Sequence, residues 1–214
     1  MRPFGTMMLA LACLAMPVAA SATAVIGGNT RLAFSSAIAG LQAGLTGNAM
    51  LVGGTPGLTV NFGITGGALD TALAGTIRHD GSGITLSNGV NTIGLGNFVI
   101  DTTSGFLLGD ASLNGSLLGT ALQLFKFDLG TVTVSQLTDL GNPALSLAIT
   151  ATTAGALTTA FGLGNTTGVS IGLAATAPVL AGVGVPEPAA WGLMLIGFGT
   201  VGAARRRRAA VVTA

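Results

Sequence analysis

The strongest constraint on the fold is the spacing of turn signals. From Val25 to Pro178 the chain alternates short apolar runs with clusters such as DGSG (80–83), SNG (87–89), DTTSG (101–105) and LNG (113–115). In each, an Asp or Asn is placed to bond its own backbone and a Gly to take the left-handed conformation, which is the chemistry of a tight turn. Runs this short and this often interrupted suit the strands of a sandwich or barrel. The strand candidates are 57–64, 83–88, 91–101, 122–129, 131–137 and 144–150. Phe125, Lys126, Phe127 and Asp128 alternate apolar and polar, as a strand with one buried face requires. Residues 152–161 (TTAGALTTAF) read as a short helix, with Leu157 and Phe161 four apart on one face. Residues 31–44 (RLAFSSAIAGLQAG) are compatible with helix, and 176–185 read as a linker. The expected class is mainly β, an antiparallel β-sandwich or barrel with one short helix.

Charge excludes some partners. Only 7% of residues are charged, against about 25% in an ordinary domain. Five of the eight basic residues (Arg2 and Arg205 to Arg208) lie in the terminal segments. The middle holds Arg31, Arg78 and Lys126 against six aspartates, leaving it near −3. A nucleic-acid partner needs a basic patch that this region lacks. Disorder is disfavoured as well, because it goes with low hydrophobicity and high net charge.

Both ends read as addresses. Residues 1–24 (MRPFGTMMLALACLAMPVAASATA) have the three parts of a secretory signal peptide. Arg2 is the positive start, Met7 to Met16 the apolar helix, and small residues follow Pro17. Two cleavage sites fit, ending at Ala22 or at Ala24; Ala24 is favoured, giving Val25 as the new N-terminus. Cys13 lies inside the apolar core and leaves with the signal, so the mature chain has no cysteine and no disulfide. At the other end, 189–204 is an uncharged run of nearly membrane-spanning length. It is followed by Arg205, Arg206, Arg207 and Arg208, which the positive-inside rule keeps cytoplasmic. The expected organisation is a signal helix (1–24), an extracytoplasmic β domain (25–178) and a linker (179–188). A transmembrane helix (189–204) and a basic cytoplasmic tail (205–214) complete it.

The stretch VPEPAAWGLMLIGFGTVGAARRRR (185–208) resembles the PEP-CTERM sorting signal. Pro186, Glu187 and Pro188 match the motif, and Trp191 matches the aromatic of the PEPxxWA-type variant. Gly192 stands where Ala is common. Gly197, Phe198 and Gly199 match the glycine-rich helix, and Arg205 to Arg208 the basic stop. The resemblance implies processing by an exosortase, a membrane-embedded cysteine-type transpeptidase of Gram-negative bacteria that cuts near Pro-Glu-Pro. Two prolines forbid helix and hold Glu187 extended, which suits presentation to such an enzyme.

Residues 76–175 are similar, through their turns and apolar positions, to HtaA-like β-rich surface domains of haem uptake. That family holds haem iron through a Tyr and a supporting His. The chain has no Tyr, and its one His is His79, so the resemblance carries the fold and leaves out the ligation.

Groups for catalysis are scarce. His79, in RHDG, reads as a solvated or turn-capping residue. The aspartates are spread singly, and neither a zinc pattern nor a calcium loop is present; Asp101 and Asp110 are the weak candidates for a calcium ligand. GLGNTTG (162–168) reads as a turn, since it lacks the phosphate-binding Lys. The expectation is an exported, non-catalytic cell-surface or matrix protein with no cofactor, catalytic residue or metal. Its partners would be the exosortase, the membrane through the C-terminal helix before processing, and an exopolysaccharide of the matrix. The alternative is a ligand-binding module for haem or polysaccharide.

Overall fold

The computed structural model describes residues 22–35, 40–52 and 58–182. Among them eleven strands make one antiparallel sheet. They are β1 (Thr23–Phe34), β2 (Gln42–Gly47), β3 (Ala49–Leu51), β4 (Thr59–Gly63), β5 (Gly66–Leu69) and β6 (Gly75–Ser87). β7 (Thr92–Asp101), β8 (Phe106–Leu113), β9 (Ser116–Lys126), β10 (Leu145–Ile149) and β11 (Ser170–Leu180) follow. Helix α1 (Val134–Thr138) precedes β10, and helix α2 (Ala151–Phe161) links β10 to β11.

The sheet closes on itself. Its neighbours run β1, β5, β6, β7, β8, β9, β10, β11 and return to β1. β1 meets β11 from Val25 opposite Leu180 to Phe34 opposite Gly172. On its other side it meets β5 (Thr23 opposite Leu69) and β4 (Asn29 opposite Gly63) in one continuous register. β2 pairs the second half of β6 and β3 pairs β4, filling the space where β4 and β6 part. Of the two architectures expected, the barrel is therefore the one formed.

Along most of the ring apolar side chains point inward and small or polar ones outward, with Leu117, Leu118 and Leu173 as exposed exceptions. Leu32, Val60, Phe62, Ile77, Ile84, Leu95, Ile100, Leu147 and Ile171 are buried, whereas Arg78, Asn97 and Lys126 on the same strands are exposed. This is the period-2 pattern of a sheet with one dry face. The turns at 87–89, 101–105 and 113–115 form as expected. Asn114 and Gly115 both take positive φ between Leu113 and Ser116, which face each other, as a two-residue hairpin loop requires. Asn88 Oδ1 accepts from the N–H of Val90 and Asn91 at 3.0 and 2.8 Å. α2 also forms as expected, between the Thr150 cap, whose hydroxyl accepts from Thr153 N–H, and Gly162 at φ 67°.

Four local expectations are corrected. DGSG does not turn the chain; it is a bulge inside β6, where the register to β7 shifts between His79 and Gly83. Residues 131–137 leave the strand state for a 3-10 turn and α1, because Thr133 and Gln136 form a reciprocal capping box that starts a helix. The 176–185 linker is strand as far as Leu180. Pro178 lies beside the point where the β1–β11 register shifts, between Val25 and Gly27, the kind of bulge at which a sheet accepts proline. Opposite it stands Gly28 at φ 116°, where any Cβ would run into the Ala177 carbonyl. The possible helix over 31–44 is strand on both flanks, with 36–39 outside the described residues. Of the expected signal helix (1–24), residues 1–21 lie outside them, and Thr23 and Ala24 are strand. Residues 183–185 of the linker, the transmembrane helix (189–204) and the basic tail (205–214) also lie outside them. No helix among the described residues is long and apolar enough to cross a membrane.

The bulges of four neighbouring strands are tied together. Gly81 N–H on β6 donates to Asn97 Oδ1 on β7 at 2.9 Å. Asn97 Nδ2 donates to Asp110 Oδ2 on β8 at 2.7 Å, and Ala121 N–H on β9 donates to Asp110 Oδ1 at 3.2 Å. Gly81, Asn97 and Ala121 all have positive φ, so Asp110 braces two strained non-glycine residues at once. Bulges bend strands and raise their twist, which is what closing a sheet demands. Asp110→Ala is expected to destabilise the barrel by about 1–2 kcal/mol, as expected for the loss of two acceptor contacts at a partly solvated site. Asp110→Asn, which keeps one acceptor oxygen, should lose less. Urea denaturation of the three proteins checks this.

Candidate functional site

Polar groups enter the barrel at one level. Thr30 on β1 and Thr176 on β11 face each other in register, and their hydroxyls are 2.8 Å apart. His79 Nε2 lies 2.8 Å from Thr30 Oγ1. All three are buried, His79 with only 1% of its surface exposed. Phe62 packs edge-on against both His79 and Phe98, at ring distances of 6.4 and 5.5 Å.

This corrects the reading of His79 as a turn residue. The bulge at 80–82 lets β6 continue past it, so the imidazole keeps an inward strand position. Its Nδ1 is buried without a hydrogen-bond partner in good geometry, as is Ser82 Oγ. Burial lowers its pKa from 6.5 to about 4; the Phe98 carbonyl and the Asp80 charge act the other way and are outweighed. His79 is therefore neutral at pH 7. With Nε2 committed to Thr30, it belongs to the core.

The aspartates are each occupied locally. Asp70 Oδ1 accepts from Ala72 and Ala74 N–H, both at 2.8 Å. Asp80 interacts with Thr65, and its carboxylate lies 3.7 Å from Arg78. Asp101 Oδ1 accepts from Thr103 and Ser104 N–H, and the Ser104 hydroxyl above all holds its carboxyl below the usual range. Asp128 and Asp139 accept from Gly130 and Gly141 N–H, each at 2.8 Å. Among the described residues no three His, Cys, Asp or Glu side chains gather as a metal cluster would. Asp101 and Asp110, the calcium candidates, sit on separate features, a hairpin turn and the bulge brace.

Beyond this polar level the interior is partly open. A cavity of about 260 Å³ lies between α2 and the strands, bordered by Leu86, Ile93, Leu95, Leu124, Leu157 and Ile171. A smaller space of about 60 Å³ reaches down to Thr30, His79 and Thr176. Ile84 and Phe125 border both. The period-2 pattern that predicts a buried face gives no sign of whether that face is filled, so this space was not legible in the sequence.

Of the processing residues, Ala22 lies just before β1 and Ala24 lies within it. Ala24 pairs with Ala68, and its carbonyl accepts from Ala181 N–H at 2.8 Å. Pro186, Glu187, Pro188, Trp191, Arg205, Arg206, Arg207 and Arg208 lie outside the described residues.

His79 makes stability depend on pH. The unfolded chain takes up the imidazole proton near pH 6.5, while the folded barrel resists until about pH 4. The unfolded state thus binds more protons in that window. Stability is full above it and falls with pH through it, by about 3 kcal/mol in total. His79→Gln, which keeps a hydrogen-bonding group near Thr30 but cannot titrate, should flatten the profile. Urea melts of both proteins at pH 7, 5.5 and 4 check this.

Residues 184–208 match the PEP-CTERM protein-sorting motif. No curated protein and no solved structure matches the chain. The match is confined to the last part of the sequence, next to the strand that completes the barrel. The chain therefore carries a C-terminal sorting signal for exosortase processing, which implies export and anchoring in the membrane before the cut.

Proposed function

We propose that the chain is an exported, non-catalytic barrel that an exosortase frees for the cell surface or the surrounding matrix. The sorting motif at 184–208 carries this reading. In it, Pro186, Glu187 and Pro188 present the cut site, Trp191 sits at the outer membrane interface, and Arg205 to Arg208 hold the discarded end inside. The geometry of the barrel supports the arrangement. β1 and the end of β11 are adjacent, Val25 facing Leu180, so the signal peptide and the sorting segment depart from one end of the barrel. The placement of Thr23 and Ala24 within a paired strand favours signal cleavage after Ala22, which leaves β1 whole.

Among the described residues the aspartates are spread singly and the one imidazole is buried against Thr30, which fits a role through binding or bulk properties, with an exopolysaccharide as the matrix partner. Its outer surface of threonine, serine, asparagine and glycine would meet a glycan without strong charge. A polysaccharide-binding module is the second reading, favoured by that same surface. Haem fits less well, because the single imidazole is buried and bonded to Thr30.

Intact-mass analysis of the exported protein tests the main reading. A chain that starts at Thr23 and lacks Trp191 to Arg208 is expected. Replacing Pro186, Glu187 and Pro188 by alanine should leave an uncut precursor in the membrane fraction. A surface form that still carries the arginines, or unchanged delivery of the triple variant, would overturn it.

A further inference from the structure

The open space under α2 is more than loose packing. Protein interiors are packed about as densely as organic crystals, with few voids larger than a water. An apolar cavity of about 150 Å³ already stays dry and takes up benzene, and this one is about 260 Å³. Among the described residues no charged side chain borders it, and Thr152 and Thr153 are its polar neighbours. Thr153 has its hydroxyl committed to the Leu124 carbonyl at 2.7 Å. The wall offers nothing that would hold an ion or a sugar.

The space also has an entrance and a direction. Leu118 borders the cavity and is 51% exposed, so solvent reaches the rim beside it. Leu122, two turns of the pleat further along β9, and Leu124 lead inward. Ile84 and Phe125 also border the smaller space beyond. The cavity of about 260 Å³ itself holds roughly eight or nine groups the size of a methylene, taking about 30 Å³ for each, as for water in the liquid.

We infer that this chamber binds a single alkyl chain of about eight to ten carbons, entering beside Leu118 and leaving its polar head at the rim. The chain would lie against Leu86, Ile93, Leu95 and Leu157, where burial of each methylene favours binding. The head makes no contact with His79, so its charge matters little. The site stands apart from the sorting reading, since it needs only the folded barrel.

The probes are 1-nonanol and nonanoate, measured by equilibrium dialysis against the protein as cells export it. Any detergent carried through purification takes up probe equally in wild type and variants and subtracts out. One site per chain is expected for both probes. Affinity should rise along the normal alcohols to about ten carbons and then level off. Ala156→Phe, on the α2 wall, should weaken binding by about tenfold or more, equal to about two lost methylenes. Ala111→Leu, on the β8 wall, is the second filler and serves if the first does not fold. Thermal melts establish that each variant is folded. Absence of saturable 1-nonanol binding overturns the proposal, as does binding that a folded filler variant leaves unchanged. Both results leave the exosortase reading untouched.

Discussion

Strand β1 is paired along both edges, and the rest of the barrel depends on that. Its contact with β11 joins the two ends of the described chain, while β4 and β5 hold its other side in one register. A sheet this poor in charge cannot defend an open edge with lysines or inward charges, the usual devices against edge-to-edge association. Closure removes the edge along the main ring instead. It also makes bending obligatory, and the linked bulges at Gly81, Asn97 and Ala121 supply it. Asp110, half-buried and readable from the sequence only as a weak calcium candidate, is thereby the side chain that links two of these bulges.

How much of this was legible in the sequence follows from the range of each interaction. Turns whose Asp or Asn bonds its own backbone within two or three residues, such as Asn88 and Asp101, are local and could be read directly. So could the cap and apolar face of α2. DGSG misled because a bulge and a turn use the same residues, and only the partner strand decides between them. The 176–185 segment misled because Pro178 signals a break unless the partner strand bulges beside it, and that bulge, at Val25–Gly27, is about 150 positions away. His79 misled for the same reason: its burial depends on Phe62, Phe98 and Thr30, none of them near it in sequence. The PEP-CTERM motif was legible, since its order and spacing lie within twenty-five residues.

The polar level at Thr30, His79 and Thr176 shows how a buried hydrogen-bond chain narrows the register. A two-residue slip of β1 against β11, which would keep every apolar side chain on the dry face, would separate the two hydroxyls. Unpaired polar atoms in such a place cost about 1–3 kcal/mol each. The apolar rings of residues above and below would tolerate a slip far better, because they lack direction. Two threonines and a histidine thus specify what some twenty aliphatic side chains only stabilise.

The two ends of the barrel differ in a way that bears on how it would work once exported. The chain enters at Thr23 and leaves past Leu180 at one end, where Ile26 and Val179 are exposed beside each other. α2, the β6–β7 and β8–β9 hairpins and the rim at Leu118 lie at the other. On the sorting reading, the first end faces the membrane while the precursor is anchored, and only residues 181–188 separate it from the hydrophobic run. The entrance to the interior then points away from the membrane while the precursor is anchored. Processing would change what the protein is attached to without altering access to its cavity, so binding and release are independent events.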